Sequence, residues 1–544
     1  MISLIANTGI QFHTFKFSID IKSGQDKMYF YEWFDSNENK LKLDLAHFFS
    51  KDDVWVKKKE LATYGYLRDG KPTDEWSEIK KDGIREITQE NKVFFNTSIS
   101  NCQIEEFDNE WLPFPFFELN SQNKTSFGPI NWCRIRFSKI QSSNTNVQDY
   151  EAVIAFDTRS IYIDDNVVDE DRETPVFSSD FEKYKSYGLC DNEFQLIDFC
   201  SENYKCDWVN KHILKLIHQT DKVDALRAPK LRYLTSYIFL IHHLQKVANV
   251  PNVRLYRDRE VQWSNVDIAI DIGNSKTSAI LFDEGDFTKV RSLELQDLSN
   301  PQKTYCDPFD MRLAFHKANF GNFGIVDSRQ FVFPSFVRLG KEGGDLIYKA
   351  KNENSGKERT TTFSSPKRFL WDKKQYKVEW EFIQIDTEER ESIWLNGISQ
   401  QFNKDGSINV DGKGGRSNSY SRSSLMTFAF LEILSQAQMQ INSFKYRDEI
   451  GDADKPRKID RIIITCPTAM SRVEQSSLRK CAEEAAIVLQ RYNLNNFESP
   501  FEYKEFAKKV KIIPEQTGLT DSIENKNWIY DEATCSQFVF YLQK

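Results

Sequence analysis

The stretch DIAIDIGNSKTSAILFDEG, residues 267–285, contains two apolar runs that are joined by a short polar turn. The runs predict two β-strands, and Gly273 with its polar neighbours predicts a tight turn between them. A plain β-hairpin accounts for this pattern, because Asp, Asn and Ser side chains bond the local backbone in turns. A phosphate-binding turn also accounts for it, because a glycine lets backbone N–H groups approach an anion closely.

The composition is that of a globular protein. The chain has 544 residues, of which 40% are hydrophobic and 28% are charged, and its formal net charge is −8. Its length predicts roughly three or four domains or subdomains. The charge gives no basic surplus, so we expect no nucleic-acid partner.

Targeting and metal signals are weak in this sequence. No segment approaches the roughly 20 apolar residues of a membrane-spanning helix, and the first residues lack a signal-peptide pattern. Nine scattered cysteines favour a reducing compartment, so we expect a cytoplasmic protein without a membrane span. Cys200, Cys206, His212 and His218 recur every six residues, which matches no standard zinc spacing, so we interpret them as ordinary helix residues.

Changes in periodicity divide the chain into three parts. Residues 1–178 have short runs of aromatic and β-branched residues, which predict a β-rich domain. Residues 179–255 have apolar residues at three- and four-residue spacings, which predict a helical segment. Residues 256–544 begin with the hairpin and contain an irregular insertion at about 296–422. We expect a mixed α+β protein whose last part is α/β.

The α/β interpretation depends on the end of the chain. Ser424 opens a long apolar helix, and DRIIITCP, residues 460–467, is a continuous apolar run typical of a strand buried on both faces. Ser471 and Glu474 have the spacing of a capping box, so a helix should begin there and end near residue 491. The run KVKIIP, residues 509–514, predicts another strand, and strand, helix, strand indicates a parallel crossover.

The order of these motifs resembles the first half of the ATPase domain of DnaK-type chaperones and of the wider actin fold. The resemblance rests on DIGNSKT, FPSFVRLG, SSPKRFL, the long helix, IIITCPTAMSRVEQSSLRKCAEEA and DEATCS. The earlier segments NTGIQF, WLPFPFF and GPINWCRIR resemble the SrfB family of virulence-associated proteins. Together the two resemblances cover the whole chain.

Several turn residues are candidate ligands for ATP and Mg²⁺. Asp271, at the end of a strand, would hold a hydrated Mg²⁺, because a carboxylate is repelled by phosphate unless a cation lies between them. Gly273 would admit the phosphates, while Asn274 and Ser275 would add donors, with Thr277 in the same cofactor-binding set. The chaperones have threonines at the positions of Asn274 and Ser275.

The resemblance implies two catalytic residues as well. Lys367 in SSPKRFL matches a lysine that reaches the terminal phosphate, although a Lys-Arg pair is also typical of a solvated face. Glu532 in DEATCS matches the acid that orients the attacking water, with Asp531 as the rival candidate. In that family a proline follows the acid, whereas Ala533 follows it here.

The leading hypothesis is therefore an SrfB-like protein whose actin-like nucleotide site drives a change of shape on a protein partner. The alternatives are a non-catalytic scaffold that keeps the fold, and a sugar or small-molecule kinase of the same superfold. No second Asp-x-Gly-Gly-Gly-Thr-like turn is found in the sequence. We therefore expect these residues to be part of a longer ATPase, or a natural half of one, and to be inactive alone.

Overall fold

A computed structural model describes most of the chain. The described residues are 1–20, 27–35, 40–49, 54–57, 67–68, 71–72, 94–98, 104–126, 128–142, 146–163, 173–178, 182–200, 227–260, 262–284, 286–306, 308–321, 330–350, 362–385, 391–395, 397–410, 419–467, 470–493 and 510–513.

Among the described residues of the first 178, most of the regular structure is β-strand, with one 3-10 helix at Ile104–Phe107. The strands are β1 (Ile2–Ile5), β2 (Ile10–Asp20), β3 (Lys27–Asp35), β4 (Lys40–Phe49), β5 (Val54–Lys57), β6 (Leu67–Arg68), β7 (Lys71–Pro72), β8 (Phe94–Ser98), β9 (Trp111–Pro113), β10 (Phe116–Glu118), β11 (Cys133–Lys139), β12 (Val147–Asp157), β13 (Ile161–Ile163) and β14 (Val176–Ser178).

The segment 179–255 is helical only in part. Its helices are α1 (Glu193–Phe199) and α2 (Arg227–Val247), but the segment also contains two strands, β15 (Tyr184–Leu189) and β16 (Val253–Tyr256). The helical prediction is therefore wrong at both ends of the segment. The two strands pair with each other and complete a sheet of order β1-β16-β15-β10, so these residues continue the first part of the chain.

The third part contains the predicted hairpin and α/β elements. Its strands are β17 (Ser264–Ile272), β18 (Lys276–Asp283), β19 (Val290–Ser292), β20 (Leu295–Gln296), β21 (Thr304–Tyr305), β22 (Phe309–Asp310), β23 (Arg312–Phe315), β24 (Val337–Arg338), β25 (Thr362–Ser364), β26 (Arg457–Ile464) and β27 (Lys511–Ile513). Its helices are α3 (Gly340–Lys349), α4 (Ser424–Asn442), α5 (Phe444–Ile450) and α6 (Arg472–Asn493).

One mixed sheet organises the third part, with strand order β19-β18-β17-β26-β27 and β22 paired to β18. The strands β17, β18 and β19 are antiparallel, whereas β17, β26 and β27 are parallel. Helix α4 precedes β26, helix α6 connects β26 to β27, and the two helices pack against each other.

Local signals explain the ends of these elements. Helix α6 begins with the predicted capping box: the Ser471 N–H donates to Glu474 Oε2 at 3.0 Å, and the Glu474 N–H donates to Ser471 Oγ at 3.3 Å. Each bond satisfies a backbone or side-chain group at the helix start. Helix α4 is buried on nearly all sides, which is why its sequence is apolar rather than amphipathic.

The prediction that β26 is buried on both faces is only half correct. Ile462 and Ile464 are buried, but Arg461 and Ile463 between them are only half-buried. Helix α4 packs on this strand, so the alternation indicates one well-covered face and one less covered face among the described residues.

The first and third parts share an interface. Ile10, Trp111 and Val153 pack with Phe320 and Met439 in one apolar cluster. Buried polar contacts cross the same interface, since the Phe331 N–H donates to Asp157 Oδ2 at 2.5 Å. The first part of the chain thus packs against the insertion and helix α4 of the third part.

Candidate functional site

The polar turn between β17 and β18 is held by backbone hydrogen bonds. The Gly273 N–H donates to the Lys276 carbonyl at 3.0 Å, which leaves Asn274 and Ser275 as the two central residues. The Met311 N–H donates to the Ser275 carbonyl at 2.8 Å. The turn is therefore fixed both by its own hairpin and by a residue of the insertion.

Gly273 is required by the packing of this turn. A Cβ added there would lie 2.2 Å from the Lys276 carbonyl oxygen, which is a backbone atom and cannot rotate away. A side chain at this position would push the two strand ends apart. The glycine thus allows the close approach of backbone that both a tight hairpin and an anion-binding turn need.

The turn presents hydrogen-bonding groups that the described part of the chain does not use. Within those residues, the backbone N–H groups of Asn274 and Ser275 have no acceptor. Asn274 Oδ1 is likewise buried without a donor among them. Two consecutive amide donors in one tight turn can bind an anion such as a phosphate.

Asp271 lies at the end of β17 on the exposed face of the hairpin, opposite to Ile270 and Ile272, which point into the core. Thr465 fixes the carboxylate, because its hydroxyl donates to Asp271 Oδ1 at 2.6 Å. The second carboxylate oxygen remains for another contact. The Thr465 N–H also donates to the Ile270 carbonyl at 3.0 Å, which continues the pairing of the two parallel strands.

Thr465 is a functional candidate that the sequence analysis did not single out. It follows the apolar run of β26 directly, and β26 is the parallel neighbour of β17. Polar residues at the carboxyl ends of adjacent parallel strands meet at one edge of a sheet. That signal was present in the sequence but required the strand pairing to be known.

Lys367 reaches the same turn from a distant part of the chain. It lies in a 3-10 helix, Pro366–Phe369, and its ammonium donates to the Ile272 carbonyl at 2.5 Å. The Ser365 N–H donates to the Met311 carbonyl at 3.0 Å. Met311 therefore connects the turn to the loop that contains Ser365 and Lys367 (the lysine loop). Lys367 is buried, with 8% of its surface exposed.

The other predicted site residues are placed less favourably. Thr277 is paired with Ile272 and is buried on the core face of the sheet, so its side chain does not lie beside Asp271. Glu532 and its rival Asp531 lie outside the described residues. The structure brings together Asp271, the turn and Lys367.

The described residues offer no alternative metal centre, since they contain no group of three His, Cys, Asp or Glu side chains that could hold an ion. Of the regularly spaced Cys and His residues, Cys200 is buried in the N-terminal core, while Cys206, His212 and His218 lie outside the described residues. Among the helices that the structure does describe, none combines the length and the apolar character needed to cross a membrane.

Comparison with known families assigns the chain as a whole. A family model described as virulence factor SrfB matches residues 1–544. The chain belongs to the SrfB family. This membership supports a virulence-associated protein and confirms the resemblance that the N-terminal segments indicate. No curated protein matches the sequence.

Proposed function

We propose that the third part of the chain is an actin-like nucleotide-binding half. It contributes one phosphate-binding turn, with Asn274 and Ser275 at its centre (the phosphate turn), to an ATPase site. In a site with a second phosphate turn, ATP binding and hydrolysis would drive a change of shape that acts on a protein partner. The ATPase activity, the nucleotide and the partner all belong to this proposal.

The strand order supports the fold assignment. Apart from β22, the first three strands of the sheet in chain order are antiparallel, β26 is parallel to β17, and β27 is parallel to β26. Helices α4 and α6 lie before and after β26 in the chain. An antiparallel hairpin followed by a parallel strand–helix–strand unit agrees with the order of motifs on which the resemblance to the actin fold rests.

The observation that carries the proposal is the meeting of Asp271 and Lys367 at one turn. Lys367 and Ile272 are 95 residues apart in sequence, yet Asp271 ends the strand whose Ile272 carbonyl accepts from Lys367. An ordinary hairpin needs neither residue. A phosphate site needs both, because an acid can hold the metal ion while a cation lies near the phosphates.

The residues fit ATP with Mg²⁺ in their donor chemistry. The unused N–H groups of Asn274 and Ser275 suit phosphate oxygens, and the exposed carboxylate of Asp271 suits the water shell of Mg²⁺. When bound, Mg²⁺ neutralises charge on the phosphates. Asp271 would hold the water shell in place, and Thr465 would keep the carboxylate in one orientation.

Lys367 would act from the base of the turn. Its hydrogen bond to the Ile272 carbonyl holds the residue that precedes Gly273 and places its positive charge next to that residue. A fixed charge near the phosphates stabilises the negative charge that develops there. Glu532 remains our proposed water-orienting acid.

The buried position of Lys367 also favours a second candidate function. A lysine whose ammonium bonds a backbone carbonyl has a structural role that needs no nucleotide. In this alternative the chain is a scaffold that keeps the actin-like fold, and the N-terminal β-rich part is its binding surface for a partner protein.

Nucleotide titration of an Asp271→Ala variant distinguishes the two. One phosphate turn supplies only part of the usual contacts, so we expect the chain to bind Mg²⁺–ATP with a Kd of about 1 mM. Asp271→Ala should remove the dependence on Mg²⁺ while the protein stays folded. The control is Asp345→Ala, an exposed aspartate of α3 with a surface ion pair to Lys341. If Asp271→Ala and Asp345→Ala bind Mg²⁺–ATP equally well, the scaffold function is favoured.

A further inference from the structure

A cavity of about 690 Å³ lies between the first and third parts of the chain, away from the phosphate turn. The third part contributes the start of β26, α4, the last two turns of α6 and the loop before β17, and the first part contributes Asn7. A volume of this size suits one small organic molecule. The cavity lies on the α4 and α6 side of β26, and its lining includes none of the turn residues.

The floor of the cavity is apolar. Leu434 of α4, Ile462 of β26 and Ala486 and Leu489 of α6 line it, and the indole of Trp263 forms part of the rim. Trp263 is held in place, because its Nε1–H donates to the Asp258 carbonyl at 3.2 Å. Such walls favour a ligand with a flat or bulky apolar body.

Two buried acceptors add polarity to the same cavity. Gln490 Oε1 and Asn493 Oδ1 are three residues apart on α6, so they lie on one side of the helix. Among the described residues neither oxygen has a hydrogen-bond donor. A buried acceptor without a donor is costly, so these two oxygens call for N–H or O–H groups from a ligand.

The charges around the cavity balance. Asp258 and Asp460 are offset by Arg259 and Lys458. The Asp258 carboxylate is already engaged, since it accepts from the Asn7 amide at 3.3 Å and from the Tyr162 hydroxyl. The Arg259 guanidinium lies 4.1 Å from the centre of the Tyr162 ring. The lining thus has no surplus of either sign to select an ionic ligand.

We propose that this cavity is a binding site for an uncharged aromatic molecule that carries N–H donors, with Gln490 and Asn493 as the residues that recognise the donors. The proposal does not depend on the nucleotide site. The three observations that support it are the apolar floor, the two acceptors and the balanced charge.

A pair of probes tests the proposal on the full chain. Indole-3-carboxamide has a ring N–H and an amide NH₂, whereas its fully N-methylated analogue has the same rings and no N–H donor. Ligand-observed NMR would measure both affinities. At ordinary ligand efficiency we expect a Kd of about 2 mM for indole-3-carboxamide. The methylated analogue should bind about three- to tenfold more weakly.

Variants then assign the binding to this cavity. Gln490→Met keeps the shape of the side chain and removes the acceptor, so it should reduce the preference for the N–H compound by at least about threefold. Gln475→Met is the matched control, because Gln475 lies on the same helix and instead bonds the Met470 carbonyl at 2.9 Å. Ala486→Leu adds three carbon atoms to the apolar floor and should weaken the binding of both probes.

The preference for the N–H compound, reduced in Gln490→Met and kept in Gln475→Met, would support the site. Absence of binding by indole-3-carboxamide in the millimolar range would overturn it. Equal affinity for the two probes, or a preference that Gln490→Met leaves unchanged, would overturn it as well. The probe comparison on the unchanged chain needs no variant to fold.

Discussion

Replacing Thr465 with valine tests whether the Asp271 carboxylate is held for a metal ion. Valine keeps the branched shape of threonine but removes the hydroxyl that donates to Asp271 Oδ1 at 2.6 Å. The carboxylate then turns among its staggered side-chain orientations. We expect the protein to remain folded, because Thr465 is only half-buried and its backbone pairing does not involve the hydroxyl.

The size of the effect follows from this geometry. Without the hydrogen bond, the Asp271 side chain can occupy three staggered rotamers. Restricting it to one of them on metal binding costs RT ln 3, or about 0.7 kcal/mol. A hydrogen bond to a charged group contributes at least about 1.5 kcal/mol. We take this lower value for the bond from Thr465, because the Asp271 carboxylate is exposed. Affinity for the metal–nucleotide complex should therefore fall about three- to tenfold.

A titration with Mn²⁺–ATP measures this change, because slow tumbling of bound Mn²⁺ raises the relaxation rate of water protons and reports weak binding. The control is Thr288→Val, which removes the same type of bond: the Thr288 hydroxyl donates to Asp286 Oδ1 at 2.7 Å in an exposed turn. Unchanged or tighter binding in Thr465→Val, or an equal loss in Thr288→Val, would refute the role assigned to Thr465.

Three further predictions concern stability measured by urea unfolding. Lys367→Met should destabilise by about 1–3 kcal/mol, because it leaves the Ile272 carbonyl without its donor, whereas Met in place of the exposed Arg368 should change stability by less than about 0.5 kcal/mol. Gly273→Ala should destabilise by at least about 1–3 kcal/mol, whereas Gly344→Ala, where a Cβ meets nothing within 4 Å in helix α3, should stabilise by about 0.5–1 kcal/mol. Burial raises the pKa of Glu484 from 4.5 to about 7, so the folded state keeps a proton that the unfolded state has lost, and stability falls as pH rises from 4.5 to about 7. Glu484→Gln keeps the acceptor for the Ile408 N–H and should remove up to about 3 kcal/mol of that fall; equal pH profiles for the variant and the unchanged chain would contradict it.

The elements that the sequence predicted correctly have short-range causes. The hairpin depends on alternation and one glycine, helix α4 on a continuous apolar run, and the start of α6 on Ser471 and Glu474. Each signal lies within the element that it specifies.

The strands β15 and β16 were missed because their cause is distant. Strand β16 pairs with β1 at the start of the chain, and β15 pairs with β10. Neither strand has strong alternation, and each lies beside a helix. Their β-structure therefore depends on partners far away in the sequence, which periodicity within a short window does not detect.

The candidate site also combines residues with short-range and long-range sequence signals. Asp271 and Gly273 could be singled out from the sequence because they belong to the turn itself. The role of Met311 was not, although its N–H and carbonyl join the turn to the lysine loop. Its side chain is apolar and carries no chemical signal, and its contribution comes entirely from the backbone.

The turn and the cavity are connected by the same two elements. Strand β26 has Ile459 in the cavity lining and is followed by Thr465 beside Asp271, a separation of about 20 Å at the usual rise per residue. Helix α6 begins soon after Thr465 and ends with Asn493 in the cavity. A ligand that shifts the end of α6 would therefore act on a helix that begins seven residues after Thr465, which holds Asp271. Because any such coupling is reciprocal, the factor by which a cavity ligand changes nucleotide affinity must equal the factor by which nucleotide changes affinity for that ligand.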